Sequence, residues 1–309
     1  MDRISTASSY SAILASLNSA QAAQNAAIAQ VSTGMKATDL KGFGATAETL
    51  TAMQTVQAKV GAYLDQSQVV SDKLSSQDTA FSSLADAAQG SSKAVTDALG
   101  SGNASALMQT LQGYYQSAVG ALNTQFNGEY LFSGGKVNTP PVSATDLTSL
   151  GTASPLSSVF QNGQLTPTSQ VDSSTSIQTG FLADQVGTPL FTALQAIQNY
   201  TQTNGPFGAT LTAAQSTFLQ SQVAALNAAN TGIVNLQGQN GLMQNQVAAA
   251  QTDLTSQQTT LKTMIGDTAN ADLAQAAANL QQAQLAIQAS AQVFQSLKSD
   301  SLASLLPIA

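Results

Sequence analysis

The sequence has no cysteine, no histidine and no tryptophan, and its 309 residues carry only 16 acidic and 9 basic side chains. Without Cys or His there is no disulfide, no thiolate nucleophile, no imidazole general base and no zinc site of nitrogen and sulfur ligands. Serine is abundant, but without His it forms no Ser-His-Asp triad. Charged residues make up 8% of the chain, about a third of the ~25% usual for globular proteins. The net charge is −7 and no run of basic residues occurs, so nucleic acid, which needs clustered Lys and Arg, is not an expected partner. A polybasic membrane patch is excluded on the same ground. No stretch approaches ~18 uninterrupted apolar residues, so no membrane span is expected. The start, Met1-Asp2-Arg3, lacks the cationic segment and apolar core of a signal peptide. The expectation is therefore a cytosolic protein, or one exported by a route that reads no such signal; the missing Cys suits export. No metal, no cofactor and no enzymatic activity are expected.

Ala, Gln, Ser and Thr stand where a solitary soluble protein would carry Glu and Lys, a surface suited to packing against copies of itself. Leu14, Leu17, Gln21, Gln24, Ile28, Val31 and Met35 alternate spacings of three and four, a heptad seam flanked by Ala and Ser. At the other end Leu273, Leu280, Ile287 and Phe294 recur every seven residues, and Ala276, Ala283, Ser290 and Leu297 follow three further on. Two terminal heptad helices suggest an antiparallel terminal coiled coil, although each could instead pair only with neighbouring chains. Helices so poor in large side chains are unstable alone. The candidate assembly interface is Leu14, Leu17, Ile28, Val31, Leu273, Leu280, Ile287, Phe294 and Leu297. Weak, uncharged seams also predict termini that are disordered in the free monomer, with rapid amide exchange over 1–40 and 272–309.

Between the termini, long helices are predicted from about Thr46 to Leu99, a rod of roughly 80 Å at ~1.5 Å per residue, from Ala104 to about Phe126, and from Thr212 to Ile265. Gly238 and Gly241 are candidate bends in the last, and Gly266-Asp267 its expected end. Gly128 to Gly135 reads as a strand and turn around Tyr130, Leu131 and Phe132. The segment from Val137 to about Gly187 holds most of the proline, and helical signal returns after Pro189. The expected fold is mainly α: a long-helix rod or coiled-coil bundle with paired N- and C-terminal helices and a small mixed or β-rich insertion. The expected domains are a terminal assembly domain (1–45 and 270–309), a helical rod with a β-hairpin (46–136 and 206–269), and a variable outward-facing insertion (137–205).

Candidate chemistry is sparse. Gly42-Phe43-Gly44 lacks the preceding strand, the third glycine and the Lys-Ser/Thr ending of a phosphate loop, and reads as a hinge. Asp146, Asp172 and Asp184 could converge in the insertion, the only sequence support for an exported enzyme. Ordinary turn aspartates are the plainer reading, since a glycosidase pair needs two facing carboxylates ~5–9.5 Å apart.

Several stretches resemble the bacterial flagellin family. Arg3-Ile4-Ser5-Thr6 and Gln30-Val31-Ser32-Thr33-Gly34-Met35-Lys36 are similar to the family's N-terminal helix and its ending. Leu285 to Leu306 resembles its C-terminal helix. Glu129-Tyr130-Leu131-Phe132-Ser133-Gly134-Gly135-Lys136-Val137-Asn138-Thr139-Pro140-Pro141 is similar to the stretch found in the family's members at the hook–filament junction. The resemblance spans about 1–137 and 208–309. It departs at Lys41-Gly42-Phe43-Gly44-Ala45, where many relatives have Asp-Pro or Asp-Asp, and at Ser83 to Val95, which lacks the Arg read by the Toll-family innate immune receptor. The resemblance implies a secreted flagellar component, exported by the flagellar type III system and assembled by its termini. The implied partners are copies of itself, a hook-associated protein on the hook side, flagellin on the filament side, and an export chaperone at Leu280, Ile287, Phe294, Leu302 and Leu305. Filament flagellin is the alternative within the family.

Overall fold

The computed structural model describes residues 2–303, with side chains described from 8 to 296. The fold is mainly α, with two small two-stranded sheets. It divides into two compact units, Met1–Lys59 with Gln257–Ala309, and Val60–Ser256. The helices are α1 (Asp2–Thr33), α2 (Ala47–Ser101), α3 (Leu107–Leu122), α4 (Leu147–Thr152), α5 (Ala183–Asn204), α6 (Ala213–Ala269) and α7 (Leu273–Ala303). Among the described residues no helix is long and apolar enough to cross a membrane.

The first unit contains α1, α7 and the adjoining ends of α2 and α6. α1 runs without Gly or Pro, so nothing in its interior opposes helix. It stops at Gly34, whose φ of +71° is a left-handed conformation that favours glycine. Gly34 N–H closes the last turn on Gln30 O at 2.9 Å.

In the second unit α2 and α6 run antiparallel. Ser92 Oγ donates to Asn227 Oδ1 at 2.7 Å, Gln237 Nε2 to Ser82 Oγ at 3.0 Å, and Asn240 Nδ2 to Leu74 O at 2.9 Å. Phe81, Leu84 and Val95 from α2, Leu111, Tyr115 and Leu122 from α3, and Leu219, Leu226 and Ile233 from α6 form one core. Leu147, Leu150 and Val159 from the proline-containing middle of the chain join it, as do Leu190, Phe191 and Leu194 of α5. Phe81 meets Phe132 and Phe181 edge-on, with ring centroids 5.5 and 4.9 Å apart. The Tyr115 hydroxyl donates to Ala144 O at 2.8 Å, and burial pushes its pKa well above the ordinary phenol value. A smaller cluster of Val70, Leu74, Val171, Ile177, Val247 and Ala250 continues the packing.

Beside Leu74 lies a layer of amides. Gln77 and Asn240 are both fully buried; Gln77 Nε2 donates to Thr179 O at 3.0 Å and Asn240 Nδ2 to Leu74 O. Their acceptor atoms, Gln77 Oε1 and Asn240 Oδ1, meet no donor.

Four local expectations change. α6 passes through Gly238 and Gly241 as one helix and continues beyond Gly266 to Ala269. A helical glycine costs only ~1 kcal/mol, and the break is set instead by Asp272, whose carboxylate accepts from Gln275 N–H at 3.0 Å and caps α7. α5 begins at Ala183, six residues before Pro189, which lies inside it. The buried face of Val186, Leu190, Phe191, Leu194 and Ile197 holds the helix through the proline. The strand expected over 128–135 is only β2 (Glu129–Tyr130), paired with β1 (Gln125–Phe126) across a two-residue turn. Asn127 and Gly128 both have positive φ there, 51° and 84°, the tight hairpin turn that Asn-Gly favours. α3 is shorter than expected, because its following residues enter that hairpin.

A second hairpin pairs β3 (Thr168–Gln170) with β4 (Ser176–Gln178). In its turn Asp172 Oδ1 accepts from Ser174 N–H at 2.6 Å and Thr175 N–H at 2.7 Å. These bonds, Ser174 first, hold its carboxyl at about 2. Because the folded pKa lies below the unfolded one, this contribution is present above the usual carboxylate pKa and fades as pH falls from about 4 to about 2. The Ser174 and Thr175 amide resonances are expected to shift over that window, in step with the Asp172 side-chain carbonyl signal in carbon NMR. Unchanged amides would remove the turn's dependence on Asp172.

Candidate assembly surface

α1 and α7 form an antiparallel pair. At one end Tyr10 meets Phe294 edge-on, with centroids 5.4 Å apart; at the other Met35 and Asn270 make an isolated antiparallel bridge. The seam uses small residues. Ala20 and Ala27 of α1 and Ala276 and Ala283 of α7 are buried, flanked by half-buried Tyr10, Ile13, Leu17 and Gln24 and by Leu280, Ile287, Ser290 and Phe294. Alanines let the helix axes approach closely.

The sequence-predicted residues therefore divide. Leu17, Leu280, Ile287 and Phe294 lie on the seam. Leu14, Ile28, Val31 and Leu273 lie outside it, with exposures of 47%, 47%, 43% and 53%. Exposed Leu285 and Val293 extend the apolar surface on α7. The side chains of Leu297 and Leu302, and all of Leu305, fall outside the described residues. On α1 the expected seam is one helical shoulder away from the observed one, because Leu14, Ile28 and Val31 lie off the face that meets α7. Ser19, Ala23, Ala26, Asn279, Gln282 and Ala286 line an open groove of about 540 Å³ along the pair.

The residues that fasten this pair were not singled out as a site. Lys36 N–H donates to Ala269 O at 2.7 Å and Ala271 N–H to Gly34 O at 2.8 Å. Lys36 Nζ donates to Asp267 O at 2.8 Å and Thr268 O at 2.9 Å, capping the C-terminus of α6 with a positive charge. Gln30 Nε2 donates to Lys36 O at 3.0 Å. The only sequence signal was the positively charged residue two positions after Gly34. A cation at an exposed helix C-terminus contributes roughly 0.3–1 kcal/mol. Lys36→Met is thus expected to speed amide exchange at residues 36 and 271 about two- to fivefold, read by mass spectrometry on the monomer. Equal rates in both proteins would assign the clasp to its backbone bonds alone.

The carboxylates of the middle segment are each occupied locally. Asp146 caps α4, accepting from Ser149 N–H at 2.7 Å, and that bond lowers its pKa. Asp172 holds its own turn. Asp184 accepts from Asn162 Nδ2 at 3.1 Å and Gln164 Nε2 at 3.3 Å. Among the described residues no group of three or more metal-capable side chains occurs.

Both ends of the chain thus form a close-packed helical pair with apolar residues left outside it. The bacterial flagellin N-terminal helical region matches residues 4–137 and the bacterial flagellin C-terminal helical region matches 223–306, together more than two thirds of the chain. The chain belongs to the bacterial flagellin family and is a non-enzymatic structural component of the flagellum. Its fold is similar to that of a protein from Vibrio parahaemolyticus assigned as flagellar hook-associated (14% identity, TM-score 0.59, covering 72% of this chain and 97% of that one). It is likewise similar to FlgL of Bacillus cereus (15% identity, TM-score 0.57, covering 70% and 99%). No curated protein matches significantly by sequence.

Proposed function

We propose that this chain is a junction protein, joining hook to filament by helical self-assembly of its termini and accommodating the mismatch between a bending hook and a stiffer filament. The observation that carries the assembly reading is the exposure of three large apolar residues, Leu14, Ile28 and Val31, although α1 already has a partner in α7. Such side chains gain ~25 cal/mol per Å² when covered by neighbouring chains. The junction position is supported by the 129–141 stretch and by the names of the two similar structures. In this reading residues 1–45 and 270–309 are the assembly domain, 46–136 and 206–269 the rod, and 137–205 the outward-facing part. The chain leaves through the flagellar type III channel, and its paired termini pack against neighbouring chains on assembly.

Deleting the gene leaves hooks on the cell and releases flagellin monomers into the medium. Filaments on those hooks would end the junction reading, and loss of secreted flagellin itself would favour filament flagellin instead. The proposed chaperone segment carries a geometric consequence. Leu280, Ile287 and Phe294 are half-buried on the face of α7 that meets α1, so a chaperone gripping them displaces α1. Amide exchange across residues 8–30 is expected to rise when the chaperone binds; unchanged exchange would place the chaperone elsewhere on α7.

A further inference from the structure

We propose that a cavity in the second unit, between α2 and the β1–β2 hairpin, binds a carboxylate carried on an apolar group, with the Lys73 ammonium as its counter-ion. The cavity measures about 330 Å³, at the lower end of the range for small-ligand sites and sufficient for a blocked amino acid. Val69 and Val70 of α2, Phe126 and Tyr130 of the hairpin, and Pro167 supply apolar wall.

Lys73 lines the same space and is half-buried. Its ammonium has no hydrogen bond and no carboxylate within 4 Å among the described residues. Two other cations are occupied: Lys93 pairs with Asp97 at 2.7 Å and Lys36 caps α6. Burial pulls the Lys73 pKa down, and the field of Glu129 opposes that shift without neutralising the charge by contact. A partly desolvated ammonium without a partner is costly, and a carboxylate placed on it makes a charge-assisted hydrogen bond of the stronger kind. The apolar walls then select acids that bring hydrocarbon with them. Glu129 lines the same cavity and repels an incoming anion, so it lowers affinity and gives the site a signature of opposite sign at its two charged residues. The inference is independent of where in the flagellum the chain resides.

The test is methyl NMR on the full-length monomer, following Val69, Val70, Leu131 and Val137. The probes are N-acetyl-leucinate, a free small acid, its uncharged amide, and N-acetyl-aspartyl-leucinamide, which presents an acidic side chain as a neighbouring chain would. Saturable shifts are expected from at least one acid, at least tenfold tighter than from N-acetyl-leucinamide; whichever acid binds tighter names the source. Lys73→Met abolishes the preference for acid over amide, Lys73→Arg retains it, and Glu129→Gln tightens acid binding about threefold or more. Circular dichroism on each variant verifies the fold. Equal binding of acid and amide, no binding by either acid, or weaker acid binding in Glu129→Gln would overturn the proposal.

Discussion

Ile28→Asp and Val31→Asp are expected to yield a chain that folds as the wild type does and fails to assemble. Both positions are largely exposed in the single chain, at 47% and 43%, and surface substitutions away from packed features usually change stability by less than ~0.5 kcal/mol. The helical spectrum and melting profile should therefore be unchanged. In an assembly the same carboxylate is pressed against a neighbour without a cation to meet it, for the chain carries only 9 basic residues in 309. A buried, unpaired charge costs several kcal/mol, and the cost recurs in every subunit. Electron microscopy should show hooks without filaments, and soft-agar plates should show loss of spreading. Leu14→Asp tests the exposed apolar residue nearer the start of α1. Swimming cells carrying Ile28→Asp would place this face outside the interface.

Phe81→Ala is the substitution expected to damage the fold most. Its side chain is fully buried in the core shared by α2, α3, α5 and α6, and it meets two further rings edge-on. Truncating a buried Phe costs ~3–5 kcal/mol in lost transfer energy and residual cavity, a large part of the ~5–15 kcal/mol that holds a typical domain. For a unit the size of Val60–Ser256, at ~2–4 °C per kcal/mol, the melting temperature should fall by about 6–20 °C. Tyr115→Phe is a fitting comparison. It preserves the ring, which is tilted against Phe191 with centroids 5.0 Å apart, and removes only the hydroxyl that serves Ala144 O, so it should cost only ~1–3 kcal/mol. Similar melting shifts for the two would mean that the cavity at Phe81 collapses rather than persists.

The helical class and the rough extent of most long helices were legible in spacing and composition. So was the α7 seam, because its large residues, Leu280, Ile287 and Phe294, are the ones that face α1. The α1 seam was not. A search for large apolar residues selects Leu14 and Ile28, whereas close approach to α7 requires Ala20 and Ala27, and alanine carries no sequence signal of burial in a chain this rich in it. Pro189 and Gly238 misled for a related reason: local propensity is worth ~1–3 kcal/mol, and a long buried face outweighs it. The Lys36 clasp depends on carbonyls more than 230 positions away, at the end of a different helix. Nothing near Lys36 in sequence announces them. Lys73 was invisible for the same reason, since its isolation becomes evident only once the hairpin lies beside α2.

The amide layer bears on how a long helical pair carries load. A seam of Ala, Leu and Val repeats closely enough that sliding α6 along α2 by one heptad, ~10 Å, would exchange one set of apolar neighbours for a similar one. Hydrophobic packing alone resists such creep weakly. Asn240 breaks that degeneracy, because its amide on α6 is engaged by Leu74 O of α2 at one register only, while Gln77 ties α2 to Thr179 O beside it. A slip of α6 leaves the Asn240 amide buried and unpaired, at ~1–3 kcal/mol. The layer works as a key in a shaft, favouring one register of the two long helices over its heptad-shifted neighbours.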